Sequence, residues 1–333
     1  MDPVYIPSRG RYRTISTHKH FDRVGMTNWY YIVEPFEQIK YIKALQAEGK
    51  ELIAKGKLTQ GERLADEAAF HVVPFDPDIF KEAYDEVENP KGFQYLDDMG
   101  WKPGLTTGPG PARNAINDYA RELGLSHYYM MDDDILGFSV DSFYFQKGLY
   151  VKGSKNKREH QRLNPVKCFE LFERLLDKFE NVGHAEFEKA GMAMNHRQNK
   201  HFSLNSKTYS CIRIRTDLNV PWRSRWNDDV EFSLQAERKG YVNVSSKVIS
   251  YATPDSQQQA GGMTESFAQV GTKDKVAYLV KAYPDVAQLT LHYGRIHHIV
   301  SYARFQQPLI LKPGATMDDL VYELTTLDLP EED

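Results

Sequence analysis

The sequence predicts an α/β fold, a mixed and mostly parallel sheet flanked by helices. Two observations carry this expectation. Short runs rich in β-branched and aromatic residues alternate with longer segments of helical period through the first half of the chain. One of those runs, His127 to Met131, stops abruptly at Asp132-Asp133-Asp134. In open α/β sheets ligands bind beyond the carboxyl ends of strands, which is where these aspartates fall.

The elements follow in order. Val4 to Ile6 reads as a first strand that leads into the loop Pro7-Ser8-Arg9-Gly10-Arg11. Trp29 to Val33 is a second strand, closed by Glu34-Pro35, and Phe70 to Phe75 a third. Between them Leu45, Leu52, Ile53, Leu58, Leu64 and Ala68 recur at helical spacing, so Gln38 to Ala69 reads as one or two helices. Residues 76–110 are acidic, then rich in Gly and Pro, and read as an irregular insertion. Pro111 to Leu123 is a helix, with Pro in its first turn, one apolar face and Gly124 after its end. The apolar strand His127 to Met131 follows, and Ile135 to Val140 continues as another. Residues 152–162 are basic and aperiodic, a loop. Val166 to Phe179 and Asp228 to Lys239 read as helices, Thr208 to Ile214 and Val242 to Tyr251 as strands, and a helix lies near Lys273 to Ala282.

Composition narrows the class. With 333 residues the chain holds one large domain or two ordinary ones. No apolar run reaches the roughly 20 residues needed to cross a bilayer, and Met1 to Arg13 lacks a signal-peptide core. The expectation is a cytoplasmic protein. Cys168 and Cys211 are the only cysteines, which excludes a disulfide framework and a cysteine-based metal site. The net charge of −4 argues by itself against a nucleic-acid partner, but it is unevenly distributed. Residues 76–98 carry −6 and residues 317–333 carry −7, which leaves +9 on the rest. A basic body can offer a phosphate-binding face.

Three adjacent carboxylates repel one another, and water or a cation must offset that repulsion. Mg²⁺ or Mn²⁺ prefers such oxygen ligands and sits between carboxylates and substrate phosphates. The competing reading of Asp132 to Asp134 is a set of turn caps after the strand. Arg113 and Asn114 open a helix whose amides favour anions, although Arg113 also suits an ion pair with the aspartates. Asp228 and Glu231 have the spacing of a capping box, which leaves Asp229 unexplained.

The order GPARN, helix, strand, DDD resembles the GxxxARN…DxD arrangement of GT-A glycosyltransferases. More narrowly, IPSRGR, YIVEP, ARNAINDYARELG, YYMMDDDILGF, WNDDVEFSL, SQQQAGGMTESF and YGRIHHIVSYARF resemble the TET/JBP-associated (GREB-like) glycosyltransferases, among them phage-type enzymes acting on hydroxymethylated pyrimidines in DNA. The likeness covers most of the chain and is weak over 38–107. It implies a GT-A, Rossmann-like fold as a single catalytic domain over residues 1–315. That domain would contain an insertion at about 38–107 and the basic loop 152–162, and an acidic tail would follow at 316–333.

The resemblance also assigns roles. Pro7, Ser8, Arg9, Arg11, Glu34, Arg113, Asn114, Asp132, Asp133 and Gly262 would hold a UDP-sugar. Asp132 and Asp134 would bind Mn²⁺ or Mg²⁺, with a C-terminal histidine completing the shell, His298, His297 or His292. Asp229, with Asp228 in reserve, would be the general base of an inverting transfer. Lys152, Lys155, Lys157, Arg158, Arg162 and Arg223 would track DNA, and Lys207, Arg213, Arg215 and Arg225 would extend that face. Tyr144, Phe145, Trp222 and Trp226 are candidates for stacking on a flipped base, or core residues. The expected reaction moves a sugar to the hydroxyl of a 5-hydroxymethylpyrimidine in DNA. The alternatives are a protein or glycan acceptor, or a non-catalytic DNA-binding module on the same fold.

Overall fold

The computed structural model describes residues 1–76, 108–141, 160–162, 165–189, 202–223, 227–254, 273–292 and 295–316. Its strands are β1 (Val4–Pro7), β2 (Trp29–Val33), β3 (Val72–Pro74), β4 (His127–Met131), β5 (Gly137–Asp141), β6 (His160–Arg162), β7 (Val182–Lys189), β8 (Phe202–Leu204), β9 (Cys211–Arg215), β10 (Val242–Ala252), β11 (Ala287–His292) and β12 (Arg295–Val300). The helices are α1 (His18–Asp22), α2 (Gln38–Ala54), α3 (Leu58–Asp66), α4 (Gly110–Glu122), α5 (Pro165–Leu176), α6 (Asp228–Arg238) and α7 (Lys273–Ala282).

One sheet runs in the order β3-β2-β1-β4-β9-β7-β10-β5-β6, with β8 paired to β10. β3, β2, β1 and β4 are mutually parallel. β9 is reversed against both β4 and β7, and β10 returns parallel to β7. This is a mixed, largely parallel α/β sheet.

Pleating explains the two cores, because alternate side chains leave opposite faces of a strand. Val4, Ile6, Tyr31, Val33, Tyr129 and Met131 face α1, α2, α3 and α5. Tyr5, Ile32, Tyr128, Met130, Ile212 and Ile214 face α4 and α6. On the first face Phe169 meets Tyr129, Phe138 and Phe187 edge-on at 4.5–5.5 Å. Each such ring contributes about 1.5–3 kcal/mol through burial. A smaller cluster of Val230, Leu234, Leu279, Tyr283 and Val286 seats α7 and the β11–β12 hairpin on α6.

The segment read as one or two helices is two. Gly56, at φ +81°, turns the chain between them. α2 and α3 pack so closely that a Cβ on Gly49 would stand 2.6 Å from the Gly61 carbonyl oxygen. Three expected strands are shorter than the sequence suggested. Phe70 and His71 belong to a turn that follows Glu67. Ile135 stays in the loop after β4, because its N–H bonds Thr17 Oγ1. Residues 208–210 precede β9, since their polar groups bond Glu186, Ser233 and Tyr251 rather than a strand. Among the described residues no helix is long and apolar enough to cross a membrane.

Candidate active site

The carboxyl ends of β1, β2 and β4 come out side by side, in the register Ile6–Tyr31 and Tyr5–Met130. The acidic turn leaves β4 there, and its backbone is pinned from two sides. Thr17 Oγ1 donates to the Asp132 carbonyl (2.7 Å) and accepts from Ile135 N–H (2.9 Å). Asp132 N–H donates to the Ser210 carbonyl (2.8 Å), and Ser16 N–H to the Asp133 carbonyl (3.0 Å).

With the backbone fixed, the three side chains diverge. Asp133 turns inward and is 4% exposed. It takes the Ser8 hydroxyl on one oxygen and Arg11 Nη1 on the other (2.8 Å). Arg11 Nη1 also reaches Asp134 (3.1 Å). Asp132 points outward, its side chain 36% exposed, and lies 3.4 Å from Arg113 Nη2. Burial raises the Asp133 carboxyl, and Arg11 with Ser8 opposes it. Burial and the neighbouring Asp132 and Asp133 push Asp134 up to about 6, partly offset by Arg11.

The loop after β1 is built from residues the sequence reading passed over. Tyr41 is fully buried, and its hydroxyl bonds Ser8 Oγ (2.7 Å) and accepts from Arg11 N–H (3.2 Å). The Glu37 carboxylate accepts the Gly10 N–H (3.0 Å) where Gly10 takes φ +72°. Glu37 caps the start of α2 and Tyr41 stands four residues on, a spacing present in the sequence. Thr17 gave no such signal. Arg9 pairs with Glu34 (3.0 Å), so these two predicted donor residues meet each other at the ends of β1 and β2.

The second acidic cluster opens α6. Asn227 sits in the left-handed region (φ 56°) and caps with no side-chain bond. Asp228 takes Arg113 Nη1 at 2.5 Å. Arg113, 8% exposed, lies 4.5 Å over the Trp222 ring, which stacks on Phe232 at 4.0 Å. The Asn114 side chain exchanges two 2.8 Å bonds with the Trp222 backbone and so fixes that ring. Burial, with Asp229 and Asp132 adding to it and Arg113 opposing, pushes Asp228 up to about 7. The capping-box reading is corrected here. Asp229 Oδ1 accepts the Val230 N–H (2.9 Å). Glu231 instead takes Arg223 (2.8 Å) and the Tyr283 hydroxyl (3.0 Å).

Arg113 thus spans Asp132 and Asp228 and joins the two clusters into one site. Near Asp229 stands Glu186, 3% exposed, which accepts Tyr209 N–H (2.5 Å) and the Ser245 hydroxyl (2.9 Å). Burial, with Glu188 and Asp229 nearby, pushes Glu186 up to about 8.

Other expected residues are not brought to this end. Arg213 is buried between Asp2 and Asp177 (2.8 Å each). Arg215 bonds Asp217 and the Glu180 carbonyl. The reversal of β9 carries Arg215 to the entry of β4, opposite His127, so neither arginine extends a DNA face beside the acids. Arg223 is drawn into the Glu231 pair, and Trp222 is fully buried in the core, closed to a flipped base. Lys207 lies 5.1 Å from the Tyr209 ring. His298 and His297 sit on β12, opposite Leu289 and Thr290. Among the described residues no three His, Cys, Asp or Glu side chains gather as metal ligands, so Asp132, Asp134 and His298 are not assembled as one set. Asp132, open to solvent, and Asp134, half-buried beside it, nevertheless fit a hard cation as neighbouring carboxylates whose repulsion Arg11 only partly offsets. Gly262, Lys152, Lys155, Lys157, Arg158, Tyr144, Phe145, Arg225 and Trp226 lie outside the described residues, as do the side chains of Arg162 and His292.

No curated protein matches this sequence. The family model described as TET-Associated Glycosyltransferase matches residues 74–262, a span that takes in α4, the acidic triplet and the start of α6. The chain belongs to the TET-associated glycosyltransferase family, and it is an enzyme that transfers sugars.

Proposed function

We propose that the enzyme moves a sugar from a UDP-sugar to the hydroxyl of a 5-hydroxymethylpyrimidine in DNA. The observation that carries this reading is the Arg113 bridge, which holds Asp132 beside Asp228 and so sets a donor-side acid next to an acceptor-side acid pair. Asp132 and Asp134 would hold Mn²⁺ or Mg²⁺, which supplies charge neutralisation for the leaving diphosphate. Ser8, Arg9 and Glu34 line the loop where the nucleotide would lie.

Asp229 takes the proton from the acceptor hydroxyl. The hydroxymethyl oxygen forms its bond to the anomeric carbon as the bond from that carbon to the diphosphate breaks, and UDP departs. Attack opposite the leaving group inverts the anomeric carbon. Asp229 keeps this role because Asp228 is committed to Arg113, whereas among the described residues Asp229 spends one oxygen on its own helix.

The test is direct. The full chain is incubated with duplex DNA containing 5-hydroxymethylcytosine or 5-hydroxymethyluracil, Mn²⁺ and a panel of UDP-sugars, and the digested nucleosides are weighed. A gain of one sugar on the modified base is expected. Donor hydrolysis without any gain would move the acceptor to a protein or glycan. Asp134→Ala should abolish turnover of the donor.

A further inference from the structure

We propose that the exposed face formed by Arg13, Phe36, Lys40, Lys43 and Lys50 around the half-buried Tyr12 ring is a docking surface for the DNA that carries the acceptor base. This rests on the DNA acceptor proposed above, and it lies on an element no motif pointed to.

The face begins at the lip of the acidic site. Arg13 follows two residues after Arg11, whose guanidinium holds Asp133 and Asp134. Lys40 precedes Tyr41, whose hydroxyl holds Ser8 and Arg11. From there the surface runs outward along α2. Lys40, Lys43 and Lys50 are exposed and share one stripe of that helix. From Lys40 to Lys50 the stripe covers about 15 Å.

Among the described residues its cations are left without ion pairs, because each acid beside them there is engaged elsewhere. Glu34 is taken by Arg9, and Glu37 by the Gly10 amide. Glu48 is taken by Lys19, and Glu51 by Lys55. Among the described residues none of Arg13, Lys40, Lys43 and Lys50 joins an ion pair with these acids. Two of the cations rest on rings instead. Arg13 lies 5.4 Å from the Tyr12 centroid, and Lys40 lies 5.7 Å from Tyr12 and 5.6 Å from Phe36. Phe36 is 62% exposed, a large ring left open to solvent beside cations.

Charge and ring together select the partner. A line of cations complements a line of phosphates, and an open ring offers a base a stacking platform. A stripe of about 15 Å runs alongside several successive phosphates of one strand, which are about 3.4 Å apart along a duplex axis.

The experiment follows the anisotropy of labelled duplex and single-stranded DNA, with and without 5-hydroxymethylcytosine, across a salt series. It uses full-length protein and the triple variant Arg13→Ala, Lys40→Ala, Lys43→Ala. At 0.1 M salt each lost phosphate contact should weaken binding roughly eightfold and flatten the log–log salt slope by about 0.9. The triple variant should therefore lose roughly 10²–10³-fold in affinity and about 2.7 in slope, while UDP affinity in Mn²⁺ stays unchanged. Phe36→Ala should weaken single-strand binding roughly fivefold or more with its slope intact. An unchanged DNA affinity and slope in the triple variant would overturn the surface and leave the acceptor assignment standing. Loss of UDP affinity with DNA binding retained would reassign the face to the donor. Wild-type protein that binds no DNA yet glycosylates another acceptor would remove both.

Discussion

The two acidic clusters of the site are built on one plan and differ in how firmly they are held. In each, one mostly enclosed carboxylate pairs with an arginine beside a second, Asp132 or Asp229, that is only partly buried. Asp133 with Arg11 backs the triplet, and Asp228 with Arg113 backs the pair. Asp133 has a second partner in Ser8, which Tyr41 holds in turn. Among the described residues the ion pair of Asp228 is with Arg113, so the second cluster leans on a guanidinium wedged over Trp222. The lesson is that both arginines neutralise the protein's own acids before any phosphate arrives.

Removing the arginines tests that contrast. Arg113→Ala should cost about 3 kcal/mol in urea unfolding, since it strands the mostly enclosed Asp228 carboxylate. Adding Asp228→Asn should recover much of the loss. A small cost for Arg113→Ala would show that the second cluster has other support. Asp229→Asn should lower sugar transfer roughly 10²–10⁴-fold with unfolding unchanged. If Asp228→Asn alone abolishes transfer while Asp229→Asn retains it, the roles of the two are exchanged. Arg11→Ala should cost less than its counterpart, about 2 kcal/mol, because Ser8 still serves Asp133. The smallest effect is expected from Thr17→Val, about 1 kcal/mol by thermal melting, together with weaker Mn²⁺-dependent binding of UDP as the triplet's backbone loosens.

The fold was legible because its signals are local. The apolar runs Val4 to Ile6 and His127 to Met131 could be read directly as strands, as could the Pro and Gly that bracket α4. The acidic triplet was legible for the same reason, since three like charges after an apolar strand need an explanation within a few residues. Partner choice was not. The sequence allows Arg113 to be a phosphate ligand or an ion-pair partner, and only the fold, with Asp228 at 2.5 Å and Asp132 at 3.4 Å, shows which acids it meets. Glu231 looked like a cap because Asp228 stands three residues before it, yet its partners Arg223 and Tyr283 come from distant segments. Arg213 and Arg215 looked like a basic face until the direction of β9 was known, because a reversed strand sends its residues to the opposite edge.

That reversal has a consequence for the remote end of the chain. A strand running against its neighbours starts where they finish, so the segment feeding β9 delivers the Ser210 carbonyl to the Asp132 amide. The same segment is moored upstream, where the Asn205 side chain holds the Gln307 carbonyl (3.0 Å). Truncation of the chain after Val300 should therefore slacken the tether on Asp132, although the cut lies nearly 170 positions away in sequence.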